Sequence, residues 1–231
     1  LIPIFHKALA SSKDICFVNI GGISNATFIS GKELIGYDCG MGNALINDYC
    51  EKHFGVEYDK DGALAAKGEV DHALLAKWMQ HPFFKKRASK SLDRMEFSKL
   101  TKDIKNLNKY DALATLTEFT VQGIINSINK LKPKKAYLCG GGRKNKTILK
   151  RLKSLSKVTI KLVDTLGVDG DFIESYGWAY LGVRSLKNLP ITFPTTTGCK
   201  APLSGGVLAK KTNFITKASY KSASKLKLQN Q

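Results

Sequence analysis

Three glycine-rich turns constrain the fold of this chain more than any other feature of its sequence. Each follows a short apolar run that is typical of a β-strand. The turns span residues 19–25 (Asn-Ile-Gly-Gly-Ile-Ser-Asn), 38–43 (Asp-Cys-Gly-Met-Gly-Asn) and 139–145 (Cys-Gly-Gly-Gly-Arg-Lys-Asn). Glycine in a single turn also suits a simple chain reversal. In open α/β sheets, however, ligands bind outside the carboxyl ends of the strands, so three such turns in one sheet predict a ligand cleft. None of the three has the Walker A or GxGxxG spacing, which argues against those two phosphate sites.

The predicted elements follow the order three strands, several helices and two β-α units. Strands are predicted over 15–20, 23–29, 33–37, 135–139 and 158–163, and helices over 44–54, 70–80, 111–131, 145–155 and 171–186. Gly21-Gly22 is predicted to be a hairpin turn that needs positive φ. Residues 83–108 are basic and aperiodic, which indicates surface loops with short turns. Repeated strand–helix pairs predict parallel strands, so the fold class is α/β, a mixed sheet with flanking helices.

The positive charge of the chain is concentrated toward its end. The formal net charge is +18, from 37 Lys and Arg against 19 Asp and Glu. No acidic residue follows Glu174, and six lysines lie between Lys210 and Lys227. We therefore expect the end of the chain, taken as residues 209–231, to be a basic, flexible tail. Such a tail suits an anionic partner, but the scarcity of arginine makes nucleic acid an unfavourable candidate.

The cysteines and apolar segments indicate a cytoplasmic protein. The five cysteines are widely spaced without a CxxC pair, which favours reduced thiols over a disulfide framework or a zinc site. No apolar run approaches the roughly 18 residues of a membrane span. The histidines show no metal-ligand spacing, and His53 fits a helix face. Trp78 and Trp178 follow a helical period and are predicted to be core residues rather than a base-stacking platform.

Two carboxylates are candidate functional groups, each with an ordinary structural alternative. Asp38 ends a strand, where it suits a general base or a turn-forming side chain equally well. Asn43 fits a helix N-cap. Glu174 completes the pattern of a capping box that begins at Asp171, although ligand contact at this helix start stays open.

Taken in order, these motifs and several others resemble one family of sugar kinases. They are Asn19-x-Gly21-Gly22-x-x-Asn25, Asp38-Cys39-Gly40-x-Gly42-Asn43, Tyr58-Asp59-x-Asp61-Gly62, Ser89-Lys90-Ser91, Asp111-Ala112-x-Ala114-Thr115-Leu116, Cys139-Gly140-Gly141-Gly142-x-x-Asn145 and Gly170-Asp171-x-x-Glu174. Their order and spacing over 1–208 are similar to those of anhydro-N-acetylmuramic acid kinase. The resemblance implies the sugar-kinase, Hsp70 and actin superfamily, in which two RNase-H-like lobes clasp ATP. We therefore expect residues 1–208 to form one RNase-H-like lobe, the C-terminal lobe of such a kinase.

The resemblance also implies a reaction and roles for the motif residues. The family couples ATP-dependent phosphorylation of O6 to hydrolytic opening of 1,6-anhydro-N-acetylmuramic acid, giving N-acetylmuramate 6-phosphate for cell-wall sugar recycling. Asp38 would be the general base and Glu174 a contact to the sugar. The nucleotide and phosphate contacts would be Asn19, Gly21, Gly22, Asn25, Gly140, Gly141, Gly142 and Asn145. Mg²⁺ is implied by phosphoryl transfer, although no metal ligands are evident in the sequence. A homodimer is expected from the family.

The chain departs from the family pattern in two respects. Met41 stands where a proline is usual, which would loosen the turn that follows Asp38. No segment matches the Gly-Thr/Met-Ser-Gly-Thr-Ser phosphate motif that begins the family's upstream lobe. We therefore interpret the chain as the C-terminal portion of such a kinase, with the N-terminal lobe missing and the cleft incomplete without it. The alternative is a non-catalytic lobe that binds anionic partners through its basic tail.

Overall fold

Residues 1–10, 12–85 and 91–209 are described by the computed structural model, and within them the chain forms a five-stranded sheet. The strands are β1 (Ile15–Ile20), β2 (Ile23–Ser30), β3 (Glu33–Met41), β4 (Lys135–Cys139) and β5 (Thr159–Leu162). They lie in the order β3-β2-β1-β4-β5. β1 to β3 form an antiparallel meander, and β4 and β5 run parallel to β1. This confirms the predicted mixed α/β sheet, in the arrangement expected of an RNase-H-like lobe.

Helices connect and flank these strands. They are α1 (Pro3–Leu9), α2 (Ala44–Phe54), α3 (His72–Met79), α4 (Pro82–Lys85), α5 (Lys109–Leu131), α6 (Lys146–Leu155), α7 (Ile173–Leu186) and α8 (Pro194–Thr197). Short 3-10 helices span Lys60–Gly62, Ala65–Lys67, Arg94–Lys102, Gly141–Lys144 and Val163–Leu166. In the described ranges, no helix has the length and apolar character that a bilayer crossing requires.

The sheet separates two hydrophobic layers, because successive residues of a strand face opposite sides. From β1, Cys16, Val18 and Ile20 pack in the layer that contains residues of α2, α3, α5 and α6. Ile15 and Phe17 pack in the other layer, with residues of α1 and α7. Both faces are covered, so β1 is buried along most of its length. Because Asn19 follows Phe17 by two residues, this alternation also places the Asn19 side chain on the side of α1 and α7.

The segment 83–108 contributes to the core, so the prediction of surface loops is wrong for its described residues. Five of its side chains are buried: Phe83, Phe84, Leu92, Phe97 and Ile104. The Phe97 ring lies 5.2 Å from that of Phe119 on α5, edge to face. These side chains lie in a single turn of α-helix, in one 3-10 helix and in the irregular chain around them, so their burial leaves no regular helical period in the sequence.

The two tryptophans differ in environment. Trp78 is only 2% exposed and is a core residue as predicted, whereas Trp178 is 60% exposed. Helix α7 buries a narrow stripe of Ile173, Gly177 and Leu181, four residues apart, and Trp178 lies beside that stripe. The prediction that Trp178 is core is therefore wrong, because an apolar period identifies a helix but not the width of its buried face.

The predicted basic tail, 209–231, lies outside the described residues from Lys210 onward. The division of the chain at residue 208 stays a prediction.

Candidate active site

A row of polar side chains crosses the sheet at the end where β1 and β4 finish. Asn25 of β2 lies opposite Asn19 of β1, and Asp38 of β3 lies opposite Asn25. Cys139 continues the row on β4, opposite Asn19. Residues paired across neighbouring strands point to the same face. The strand register therefore brings Asn19, Asn25 and Asp38 together on the face covered by α1 and α7.

Asp38 lies inside β3, so the prediction that the strand ends before it is wrong. The strand continues to Met41 because the buried Ser24 holds its last residues. Ser24 Oγ donates hydrogen bonds to the carbonyls of Gly40 (3.1 Å) and Met41 (3.0 Å). Cys39 is an extra residue in the register, which forms a β-bulge directly after Asp38. Bulges bend a strand and change the direction of the neighbouring side chains.

The carboxylate of Asp38 lines a cavity of about 380 Å³, the Asp38 cavity. Its Oδ2 accepts a hydrogen bond of 2.7 Å from the backbone amide of Leu92, which fixes the orientation of the carboxylate. Ser91, Thr196 and Thr197 contribute hydroxyl groups to the same cavity. A fixed carboxylate facing a polar cavity can accept a proton from a bound molecule.

Glu174 lines a second cavity of about 250 Å³, the Glu174 cavity, together with His6 and Asn19. Asn25 lines both this cavity and the Asp38 cavity. The two predicted carboxylates therefore face adjoining spaces that meet at Asn25.

The capping-box alternative for Glu174 is wrong. Helix α7 begins at Ile173 with Phe172 at the N-cap position, where no side chain caps the helix. Asp171 instead directs its carboxylate to Arg143 (2.9 Å) and Lys144 (2.7 Å). These two cations compete for the side chain that a capping box would need, which leaves Glu174 exposed at the start of α7.

The Gly21-Gly22 turn contacts the start of α2 through its carbonyls. Gly21 O accepts from Asn43 N (2.7 Å), and Gly22 O accepts from Gly42 N (2.9 Å) and Ala44 N (3.1 Å). Neither Gly21 nor Gly22 has positive φ, so that prediction is wrong. The close approach is at Gly42, where a β-carbon would lie 2.2 Å from Gly21 O. Because the C=O and N–H of a trans peptide point in opposite directions, the amide of Gly22 points away from α2.

Asn43 stands at the N-cap position of α2, but its side chain does not cap the helix. Its Nδ2 donates to Ile20 O (3.2 Å) and so attaches the helix start to the end of β1. The predicted cap is therefore wrong for this side chain, which is held by Ile20 O instead of bonding to an amide in the first turn of the helix.

The third glycine turn packs tightly against the end of β1. Gly140 has φ of +77°, and a β-carbon on it would lie 2.3 Å from Asn19 Oδ1. A β-carbon on Gly142 would lie 2.3 Å from Ile20 Cγ2. Asn145 ends the turn as the N-cap of α6, where its Oδ1 accepts from Ile148 N (3.0 Å). The first and third turns are thus in direct contact.

A third cavity of about 290 Å³, the Gly142 cavity, lies beside this turn. Its lining includes Asn43, Tyr58, Asp59, Gly141, Gly142 and Asn145. The buried Asp59 shapes its wall, since its carboxylate accepts from Leu64 N (2.8 Å) and Ala65 N (3.0 Å).

Asn19 Oδ1 is a buried acceptor without a hydrogen-bond partner among the described residues. Leaving such an atom unpaired costs about 1–3 kcal/mol, so it is a candidate for a ligand or a cation. Within the same ranges, no group of three or more His, Cys, Asp or Glu side chains is placed to hold a metal. Mg²⁺ commonly uses only one or two protein oxygens plus substrate phosphates, so the oxygen of Asn19 is compatible with it.

Arg143 forms the centre of an ion network next to the third turn. Its side chain is 6% exposed and contacts Asp164 (3.2 Å) and Asp171 (2.9 Å). Burial opposes its charge, but the hydrogen bonds to the two carboxylates outweigh burial and raise the pKa of Arg143. The pKa of Asp171 is lowered by its hydrogen bonds to Lys144 and then Arg143. Arg143 and Asp171 are therefore both ionised at neutral pH.

His6 is a buried residue of the site that the sequence did not single out. Its Nδ1 lies 2.9 Å from Thr27 Oγ1, and its ring stacks on Phe17 at 4.7 Å. Burial lowers the pKa of His6 to about 3, so the imidazole is neutral at physiological pH. Only its place on an apolar helix after Pro3 could have indicated its burial.

Comparisons with known proteins agree with the sequence motifs. Residues 1–211 match the family model for anhydro-N-acetylmuramic acid kinase. A protein of that name from Rhodopseudomonas palustris strain BisB18 is 42% identical over 219 residues, which cover 91% of this chain and 59% of the relative. One from Rhizobium etli is 40% identical over 218 residues, 90% of this chain and 58% of the relative. The chain thus spans about three fifths of the length of these curated relatives.

Solved structures show more distant likeness. The activator of 2-hydroxyisocaproyl-CoA dehydratase from Clostridium difficile, with bound ADPNP, aligns with a TM-score of 0.48 and 13% identity over 77% of this chain and 63% of that chain. A ROK family glucokinase from Streptomyces griseus, in complex with glucose and AMPPNP, has a TM-score of 0.39 and 11% identity over 74% of this chain and 61% of that chain. The family model covers most of the sequence and the curated relatives are about 40% identical, so the chain belongs to the anhydro-N-acetylmuramic acid kinase family.

Proposed function

We propose that this chain provides one lobe of a kinase that converts 1,6-anhydro-N-acetylmuramic acid and ATP into N-acetylmuramate 6-phosphate and ADP. The observation that carries the proposal is the placement of Asp38 and Glu174 on adjoining cavities that meet at Asn25. Both cavities lie at the end of the sheet where the three glycine turns converge. A sugar in contact with both carboxylates would lie next to the phosphate-binding backbone.

In the proposed reaction, Asp38 takes a proton from the water that attacks the anomeric carbon. The bond from that carbon to O6 breaks, O6 bonds to the γ-phosphorus of ATP, and ADP leaves. The amide of Leu92 holds one carboxylate oxygen at 2.7 Å and so orients the carboxylate of Asp38, which lines the cavity where the water would bind. A general base that is already oriented loses little entropy when it reacts.

Glu174 is proposed to accept hydrogen bonds from the sugar. Its position in the first turn of α7 leaves the carboxylate exposed toward the Glu174 cavity. The neutral His6 and the amide of Asn25 line the same cavity and offer hydrogen-bonding groups without charge. This mixture suits an amino sugar with several hydroxyl groups.

The phosphates of ATP are proposed to bind at the hairpin of Asn19, Gly21, Gly22 and Asn25. The Gly22 amide points away from α2, and backbone amides of this kind bind phosphate oxygens. The adenosine side is assigned to the turn formed by Gly140, Gly141, Gly142 and Asn145, which borders the Gly142 cavity. Asn43 and Tyr58 line that cavity as well and offer polar contacts.

Mg²⁺ is proposed as the cation that accompanies ATP, and the unpaired Asn19 Oδ1 is a candidate protein oxygen for it. When bound, Mg²⁺ neutralises charge on the transferring phosphoryl group. A homodimer and a cytoplasmic location are proposed from family membership together with the sequence.

The test is a direct assay of the complete product of the gene that encodes this chain. We expect ADP release that depends on the anhydro sugar, and a product whose mass exceeds that of the sugar by one water and one phosphoryl group. The isolated chain of 231 residues is assayed in parallel for binding of ATP and of the sugar. A complete gene product that neither binds the sugar nor releases ADP would contradict the proposal.

A further inference from the structure

Arg143 joins three segments that are far apart in the sequence. It belongs to the 3-10 turn Gly141–Lys144 and donates to Gly140 O (3.3 Å) within that turn. Its Nε donates to Asp164 (3.2 Å) after β5, and its Nη2 donates to Asp171 (2.9 Å) before α7. One nearly buried guanidinium thus holds the glycine turn, the end of the sheet and the start of α7.

The backbone around this guanidinium is shaped to receive it. A β-carbon on Gly170 would lie 2.5 Å from Arg143 Nε, so only glycine leaves space for the side chain. The amide of Gly170 also donates to Asp164 Oδ1 (3.1 Å), which orients that carboxylate toward Arg143. Loop 169–171 and the glycine turn therefore meet at a fitted contact.

The contact lies between the two binding regions assigned above. On one side is the glycine turn that borders the Gly142 cavity. On the other side are Gly170 and Asp171, which precede the first turn of α7 and its residue Glu174. We propose that Arg143 is a positioning residue that holds the nucleotide turn and the first turn of α7 in one relative geometry. This inference rests on the proposed function, and it assigns Arg143 no contact with either substrate.

Lysine cannot replace Arg143 in this role. A guanidinium presents five donors in a rigid plane, which allows one side chain to meet two carboxylates and a carbonyl at once. The ammonium group of lysine has the same charge but not this planar arrangement of donors. It could therefore bond to one of the three partners but not to all of them at once.

The experiment compares Arg143→Lys with Arg151→Lys in the complete gene product. Arg151 is a matched control because its guanidinium also forms two hydrogen bonds, at 2.8 and 2.9 Å, to the carboxylate of the buried Glu118. Arg151 lies on α6 and lines none of the three cavities. We expect Arg143→Lys to raise KM for ATP and KM for the sugar by about tenfold each, with kcat changed less than threefold. Arg151→Lys should lower Tm and leave both KM values unchanged.

A second variant, Asp171→Asn, weakens the contact between Arg143 and the segment before α7 by removing the charge of its carboxylate partner. Asp171 is half-exposed, so this variant serves if Arg143→Lys does not fold. It should raise both KM values in the same direction, by about threefold. Unchanged KM values in either folded variant, with only a lower Tm, would overturn the inference and leave Arg143 a purely structural residue. Failure of the wild-type protein to bind ATP or the sugar would instead contradict the proposed function.

Discussion

The side-chain oxygen of Asn19 lies against the Cα of Gly140, so close that a β-carbon at residue 140 would lie 2.3 Å from it. The first and third glycine turns are therefore in contact through a space that only glycine leaves open. The positive φ of Gly140, +77°, adds a second reason why no other residue fits there.

The Gly140→Ala variant should be destabilised and impaired in nucleotide binding. The strained φ and the contact with Asn19 together should lower the free energy of unfolding by about 2 kcal/mol or more. Gly182→Ala on α7 is the control, because no atom of the described residues outside its own helix lies within 4 Å of its β-carbon position and it lines none of the three cavities. Urea denaturation and titration with a non-hydrolysable ATP analogue measure both effects. Equal stability of the two variants would contradict the close contact.

The Asp38→Asn variant should bind both substrates but lose turnover. An asparagine oxygen can still accept the Leu92 amide, while the group no longer accepts a proton, so kcat should fall by about 10²–10⁴-fold. Asp103→Asn is the control, since its carboxylate also accepts a hydrogen bond, from Trp78 Nε1 at 3.0 Å, outside the three cavities. Near-normal kcat in Asp38→Asn would remove Asp38 as the base.

The Glu174→Gln variant should weaken sugar binding without affecting ATP. Hydrogen bonds to a charged acceptor are stronger than those to a neutral amide, so KM for the sugar should rise about tenfold or more. Glu51→Gln, at an exposed position of α2, should change neither KM value. An equal rise in KM for ATP would show that Glu174 does not act on the sugar alone.

His6 should make the stability of the protein depend on pH. The unfolded chain takes up a proton near the ordinary pKa of 6.5, whereas the folded protein resists protonation until about pH 3. The stability that His6 contributes is therefore full above pH 6.5 and falls as the pH is lowered, by about 1.4 kcal/mol per pH unit.

The His6→Gln variant should lose this part of the pH dependence. The difference in free energy of unfolding between wild type and variant should shrink as the pH falls from 7 to 5. His72→Gln, at an exposed position, should keep the wild-type slope. Parallel curves for wild type and His6→Gln would contradict the burial of a neutral imidazole.

Local sequence signals predicted the parts of the site that depend on neighbours in the chain. The strands, the glycine turns and the position of Asp38 near the end of a strand follow from apolar period and from topology. The sequence spacing around Glu174 favoured a capping box, and only the family resemblance indicated that it lines a cavity. The bulge at Cys39 did not follow, because it depends on the hydrogen bonds of Ser24 to a neighbouring strand. The hydrogen bonds of Arg143 to Asp164 and Asp171 did not follow either. These partners lie 21 and 28 residues away, and at such separations the charge pattern of a sequence does not show which charged residues form ion pairs.

The carbonyls of the Gly21-Gly22 turn accept hydrogen bonds from the amides of Asn43 and Ala44 at the start of α2, so the turn and the helix are expected to move together. A phosphate that shifts the hairpin must shift the helix start with it, and with it one wall of the Gly142 cavity through Asn43. The amide protons of Asn43 and Ala44 are therefore suitable probes for a change in the hairpin. If the hairpin binds the phosphates as proposed, adding nucleotide should change the exchange rates and chemical shifts of these two amide protons.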